Sequence, residues 1–108
     1  DESIVETIDP NIGKIAELDS RGLIVSAKGE TTDFTSRVFG PNVGVDEDPV
    51  TGSAHALLAT YWGNVLNLQK MKARQASKRG GELICEVLEN NVEITGKAKL
   101  YLQGEIYF

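Results

Sequence analysis

An α+β fold is predicted by one long apolar helix pattern, several β-rich runs, and the glycine and asparagine breaks between them. From Ser53 to about Leu66, the residues Ala54, Ala56, Leu57, Leu58, Ala59, Tyr61, Trp62, Val65 and Leu66 cover nearly every side of a helix. A helix apolar all round is expected to be surrounded. The runs Leu23–Ala27, Asp33–Phe39, Lys70–Ser77, Glu82–Leu88, Val92–Thr95 and Lys97–Phe108 alternate or are rich in β-branched residues, which marks strands. About six strands around one helix predict a mostly antiparallel curved sheet, in effect a half-barrel with a central buried helix.

The elements follow in order along the chain. Asp9-Pro10 is a helix opening, with Asp9 as N-cap and Pro10 in the first helical position. Ile12, Ile15, Ala16 and Leu18 continue it as a short amphipathic helix, ended by Asp19-Ser20-Arg21-Gly22. The first two strands are joined by a turn at Gly29-Glu30-Thr31-Thr32. Residues 40–52, with two prolines and three glycines, form the longest loop, and long loops on small domains are often functional. Arg79-Gly80-Gly81, Glu89-Asn90-Asn91 and Gly96 separate the later strands. No internal repeat or linker interrupts the chain.

With 108 residues, the chain is expected to form a single domain, 1–108. Hydrophobic content of 41% and charged content of 25% suit a globular protein. A net charge of −5 argues against a general nucleic-acid binder. The single cysteine, Cys85, rules out an internal disulfide, which fits a reducing cytoplasm. No run is long enough to span a bilayer, and the acidic start does not resemble a signal peptide. Because the first residue is Asp1 rather than Met, a processed, cut or fragmentary chain is expected.

The block Asp46-Glu47-Asp48-Pro49-Val50-Thr51-Gly52-Ser53-Ala54-His55 carries the chemistry. It sets carboxylates and a small-residue turn in front of the apolar helix, whose start has unpaired N–H groups and partial positive charge. Gly52 and Ser53 leave that seat open to a carboxylate or phosphate, and Asp48 stands beside it as an acid or base. The same residue types are ordinary helix caps and turn formers, so the block by itself fits either use. A calcium loop fails on Val50 and Thr51, which stand where a ligand and the turn glycine belong, and no other metal set is expected. Ser53 and His55 do not face each other on a helix, and no nucleophile elbow is present. His55 and Cys85 read as buried structural residues, and Tyr61 and Trp62 as core. Lys70, Lys72 and Arg74 share one strand face, read as solvated. Arg79 with Gly80-Gly81 is an alternative anion contact.

Three stretches, Asp33-Phe34-Thr35-Ser36-Arg37-Val38-Phe39, Glu47 through His55, and Gln75-Ala76-Ser77-Lys78-Arg79-Gly80-Gly81-Glu82-Leu83, resemble the PhzF-like phenazine-biosynthesis proteins. The likeness spans essentially all of the chain and matches the C-terminal half of that family. It implies a diaminopimelate-epimerase-like fold, in which two similar domains each wrap a sheet round a helix and hold the active site between them. The resemblance implies a cofactor-independent isomerase moving protons on a small carboxylate substrate; PhzF itself isomerises a dihydro-hydroxyanthranilate. By position, Asp48 matches the catalytic aspartate, and Gly52 and Ser53 match the residues holding the substrate carboxylate, with Thr51 beside them. The family's glutamate acid/base and active-site histidine belong to the N-terminal domain, and this chain has no counterpart of either. The chain alone is therefore expected to be inactive without an N-terminal domain or equivalent partner. A homodimer is one such arrangement. The competing expectation is a non-catalytic binding or interaction domain that kept the scaffold.

Overall fold

Strand β2 (Phe34–Gly40) is the axis of the structure, a computed structural model that describes residues 1–108. It is buried along its length except at Arg37, which is half-buried. Alternation sends Phe34, Ser36 and Val38 to one face, and Thr35, Arg37 and Phe39 to the other. Strand β1 (Leu23–Lys28) runs antiparallel along one edge of β2, with Leu23 opposite Phe39 and Lys28 opposite Phe34. The other edge is shared between two strands. Its first half pairs in parallel with β4 (Lys70–Gln75), from Phe34 opposite Ala73 to Ser36 opposite Gln75. Its second half pairs antiparallel with β3 (Val45–Asp48), with Val38 opposite Asp48 and Gly40 opposite Val45. Beyond β4, strands β5 (Gly81–Val87) and β6 (Val92–Thr95) continue antiparallel and complete an open, mixed, six-stranded sheet.

Parallel neighbours cannot be joined by a hairpin. The crossover from β2 to β4 runs through a 3₁₀ turn at Pro41–Val43, then β3, then helix α3 (Gly52–Leu66). Ala54, Leu58, Ala59 and Trp62 of α3 pack on Phe34, Val38, Met71, Ala73, Leu83 and Cys85 of the sheet. The Phe34 ring stacks between His55 and Trp62, with centroids 5.9 and 6.2 Å away. Trp62 satisfies its ring N–H by donating to Ser26 Oγ at 3.2 Å. Helices α1 (Glu2–Thr7) and α2 (Ile12–Ala16) cover the opposite face of β2. There the buried Glu2 carboxylate accepts the Thr35 hydroxyl and, at 2.9 Å, the Glu30 backbone N–H. Arg74 reaches across from β4 to Glu2 at 3.5 Å and to Glu6 at 2.6 Å.

The predicted α+β class and the strands at 23–27, 33–39, 70–77, 82–88 and 92–95 match this architecture to within a few residues. Five expectations change. Helix α1 has no counterpart in the sequence reading. Helix α2 begins later than Asp9-Pro10, because Asn11 Oδ1 rather than Asp9 accepts the Lys14 N–H, at 3.0 Å. The loop 40–52 contains β3. Lys97–Phe108 forms no strand: the pattern alternates, but no neighbouring strand is there to take its hydrogen bonds, and Leu100, Tyr101, Leu102, Ile106, Tyr107 and Phe108 are exposed. Nor is α3 surrounded. The open sheet covers one side of it, and Leu57, Tyr61 and Val65 form a stripe with 67%, 58% and 56% of their surfaces exposed. Tyr61 therefore stands outside the core, edge-on to Trp62 at 5.3 Å.

Two sequence features fix the segment between β3 and α3. Val50 packs against the core cluster and lies so close to β5 that a Cβ at Gly81 would come within 2.0 Å of its Cγ2. Ser77 donates its hydroxyl to the Pro49 carbonyl at 2.8 Å, and Gly80, at φ 72°, donates its N–H to Ser77 Oγ at 3.0 Å. The left-handed conformation at position 80 suits glycine.

Two predictions follow from this packing. The Thr35 hydroxyl, the Glu30 N–H and Arg74 hold the Glu2 carboxyl below its usual value of 4.5 against the opposing effect of burial. The unfolded chain then takes up the proton first as pH falls. The contribution is complete above the unfolded value and is lost as pH drops through the folded one. Glu2→Gln should cost about 1–3 kcal/mol near neutrality, with the deficit shrinking as pH falls below 4.5, read as urea midpoints at neutral and acidic pH. Gly81→Ala forces Val50 and its loop to move and should cost about 1–3 kcal/mol, measurable by thermal unfolding.

Candidate functional site

The candidate site lies where β3 and β4 meet on the shared edge of β2. Each strand ends there, β3 at Asp48 and β4 at Gln75, opposite Val38 and Ser36 respectively. The chain then passes through Pro49, Val50 and Thr51 into α3. Of the three adjacent acids, Glu47 is occupied: Arg37 holds it with Nε at 2.8 Å and Nη2 at 3.0 Å. That paired hydrogen bonding raises the Arg37 pKa further, so the guanidinium stays charged. Its Nη1 also donates to the carbonyls of Ile8 at 2.7 Å and Val5 at 3.3 Å, and the group lies 5.0 Å from the Phe39 ring centre. Asp46 is exposed. Asp48, half-buried, accepts the Thr51 hydroxyl on Oδ2.

Thr51 is the N-cap of α3, with φ −121° and ψ 101°, but its side chain does not cap the helix. Its hydroxyl is turned to Asp48 instead. The first N–H groups of α3, at Gly52 and Ser53, are consequently left without a side-chain acceptor, next to a carboxylate. Both residues are exposed, and a Cβ at Gly52 would meet nothing within 4 Å. An open helix start of this kind binds anions through backbone donors and the helix dipole. Asp48, Thr51, Gly52 and Ser53 are thus brought to one place.

Gln75 is the residue that motif reading passed over. Its side chain is completely buried and makes three hydrogen bonds to the loop. Oε1 accepts the Thr51 backbone N–H at 2.8 Å, and Nε2 donates to the Asp48 carbonyl at 2.6 Å and to Thr51 Oγ1 at 3.1 Å. A polar residue on the inward-facing side of β4, aligned with Met71 and Ala73, is the signal that could have flagged it. His55, also fully buried, donates Nδ1–H to the Thr51 carbonyl at 2.7 Å. A carbonyl can only accept, so Nδ1 carries the proton and Nε2 is a bare lone pair, unpartnered in the core. Burial pushes the His55 pKa down, against the opposing hydrogen bond to Thr51, so the ring favours the neutral state.

The remaining candidates sit elsewhere. Arg79 is exposed, and the turn at Gly80 and Gly81 serves to admit Ser77 and Val50 to the loop. Lys70 and Lys72 are exposed, while Arg74 on the same strand face is paired with Glu2 and Glu6. Cys85 is a buried thiol whose pKa burial pushes up to about 11. No three His, Cys, Asp or Glu side chains converge as metal ligands would. No helix is long and apolar enough to cross a membrane.

Known proteins share both the sequence and the fold. The profile of the PhzC-PhzF family, described as phenazine biosynthesis-like protein, matches residues 1–104. An uncharacterized isomerase of Pseudomonas aeruginosa is 45% identical over 107 residues, covering 99% of this chain and 41% of that protein. A second from the same organism is 48% identical over 105 residues, covering 97% of the chain and 40% of its own length. A crystal structure of a PhzF-family protein from Enterococcus faecalis superposes with a TM-score of 0.91 at 50% identity, over 100% of this chain and 42% of that one. A PhzC/PhzF protein from Clostridium difficile gives 0.88 at 46% identity, over 99% of this chain and 42% of that one. The chain thus spans about two fifths of the length of these relatives. The chain belongs to the phenazine biosynthesis-like, PhzC-PhzF family.

Proposed function

We propose that this chain is the C-terminal half of a two-domain PhzF-like isomerase that moves protons on a small carboxylate substrate in the cleft between domains, without a cofactor. The observation that supports this most directly is the uncapped start of α3 beside the half-buried Asp48. The backbone N–H groups of Gly52 and Ser53 take the substrate carboxylate, with room for the Ser53 hydroxyl to add a donor. Asp48 passes a proton to or from the substrate carbon held next to it. Thr51 contributes by shaping this seat, since its hydroxyl is directed to Asp48. A second acid/base comes from the N-terminal domain, and closure of the two domains dries the cleft in which the transfer occurs. The share of the relatives' length that this chain covers is in keeping with one domain of two.

A second reading is a binding or interaction domain, favoured by the stripe of Leu57 and Tyr61 on α3. Together with Ile24, Val87 and Val92 they line an apolar groove of about 970 Å³. None of Asp48, Thr51, Gly52 or Ser53 lines that groove, so it is separate from the acid/base site. One assay separates the readings: uptake of solvent deuterium into dihydro-hydroxyanthranilate and other small carboxylates by the complete polypeptide. Uptake is expected. Asp48→Asn should reduce it by about 10²–10⁴-fold while the circular dichroism spectrum stays unchanged. Full exchange by that variant removes Asp48 from the reaction, and tight binding with no exchange by the unsubstituted protein favours the interaction domain.

A further inference from the structure

The geometry points to Gln75 as the positioning residue that turns the Thr51 hydroxyl proton onto Asp48 Oδ2 and leaves Asp48 Oδ1 as the oxygen available for chemistry. This inference deepens the reading of Asp48 as the proton-transfer group and rests on it.

A glutamine amide can be placed either way round, so its direction must come from its partners. Here the partners settle it. The Thr51 backbone N–H can only donate, so it faces Oε1, at 2.8 Å. The Asp48 backbone carbonyl can only accept, so it faces Nε2, at 2.6 Å. With the amide fixed, the second Nε2 proton is aimed at Thr51 Oγ1, 3.1 Å away. That oxygen is therefore an acceptor from Gln75 and gives its own proton to Asp48 Oδ2. Polarity runs in one direction: Gln75 to Thr51, Thr51 to Asp48. Successive donors of this kind polarise one another and strengthen the chain.

His55 closes the arrangement by donating to the Thr51 carbonyl at 2.7 Å. Every polar group of Thr51 then has a partner within the protein: N–H and Oγ1 from Gln75, the hydroxyl proton on Asp48, and the carbonyl from His55. Within the chain only Oδ2 of Asp48 is engaged by a side chain. Oδ1 is left as the acceptor for a substrate proton. Gln75 itself, completely buried at the end of β4, does not reach the open helix start and acts only through Thr51 and the loop backbone.

The test is substrate-free. In isotopically labelled intact protein, the Thr51 hydroxyl proton should appear by NMR as a slowly exchanging downfield resonance, coupled to the Asp48 side-chain carboxyl carbon. Gln75→Glu keeps an oxygen for the Thr51 N–H but replaces the donor amide with an acceptor, which competes with Asp48 for the hydroxyl. The Thr51 backbone amide should stay protected in that variant while the hydroxyl resonance at Asp48 is lost near neutral pH. An unchanged hydroxyl resonance in Gln75→Glu would overturn the assignment. Should that variant not fold, the unsubstituted protein still decides. Both Nε2 protons of Gln75 are expected to be protected from solvent exchange, and fast exchange of either would sink the directed chain. Neither readout depends on turnover, so failure here is distinct from failure of Asp48→Asn to suppress deuterium uptake.

Discussion

One edge of β2 is asked to serve two strands of opposite direction, and the rest of the site depends on how that conflict is resolved. β4 uses the edge up to Ser36 and β3 uses it from Val38 onward. Where they meet, neither strand can supply the backbone partners of the other, yet buried N–H and C=O groups cannot be left alone. The Gln75 side chain fills that gap with the same pair of groups a peptide unit has, one acceptor and one donor. It takes the Thr51 N–H and gives to the Asp48 carbonyl, as a neighbouring strand would. The turn between β3 and α3 is thus held by a side chain acting in place of a strand.

That substitution explains why α3 starts open. In most helices a threonine at the N-cap folds back on the first turn. Here the second donor of Gln75 and the carboxylate of Asp48 claim the Thr51 hydroxyl, so the first N–H groups of the helix keep no side-chain acceptor. The arrangement costs the helix a cap, worth about 1 kcal/mol, and α3 recovers it through Leu58, Ala59 and Trp62 in the core. The sequence block from Glu47 to Ser53 divides in the same way. Glu47 is structural, bound by Arg37, while Asp48 takes the hydroxyl of the α3 N-cap residue, Thr51.

Much of this fold is legible in the sequence. The strand positions come from alternation and turn residues, and α3 from its apolar density; Asp48, Gly52 and Ser53 are visible because a carboxylate and small residues precede a helix. What escaped is non-local. Gln75 lies twenty-four positions from Thr51; alternation with Met71 and Ala73 places it on the inward face of β4 but does not say which distant loop its amide will hold. Helix α1 depends on Thr35 and Arg74 to take its acids, and β3 depends on an unclaimed half of β2, neither of which is a local property. The strand pattern at Lys97–Phe108 failed for the complementary reason. Alternation states a preference for pairing but cannot supply a partner, and these residues have none within the chain.

Arg37 joins the two ends of the first half of the molecule. One side of its guanidinium grips Glu47, next to Asp48, and the other takes the carbonyls of Val5 and Ile8 at the end of α1. A planar, rigid fork cannot follow both partners if they move apart. Any displacement of Glu47 is therefore felt in the opening turns of the chain. The end of β3 and the local opening of α1 are tied by thermodynamic linkage, so whatever loosens the first eight residues also loosens the strand end that carries Asp48.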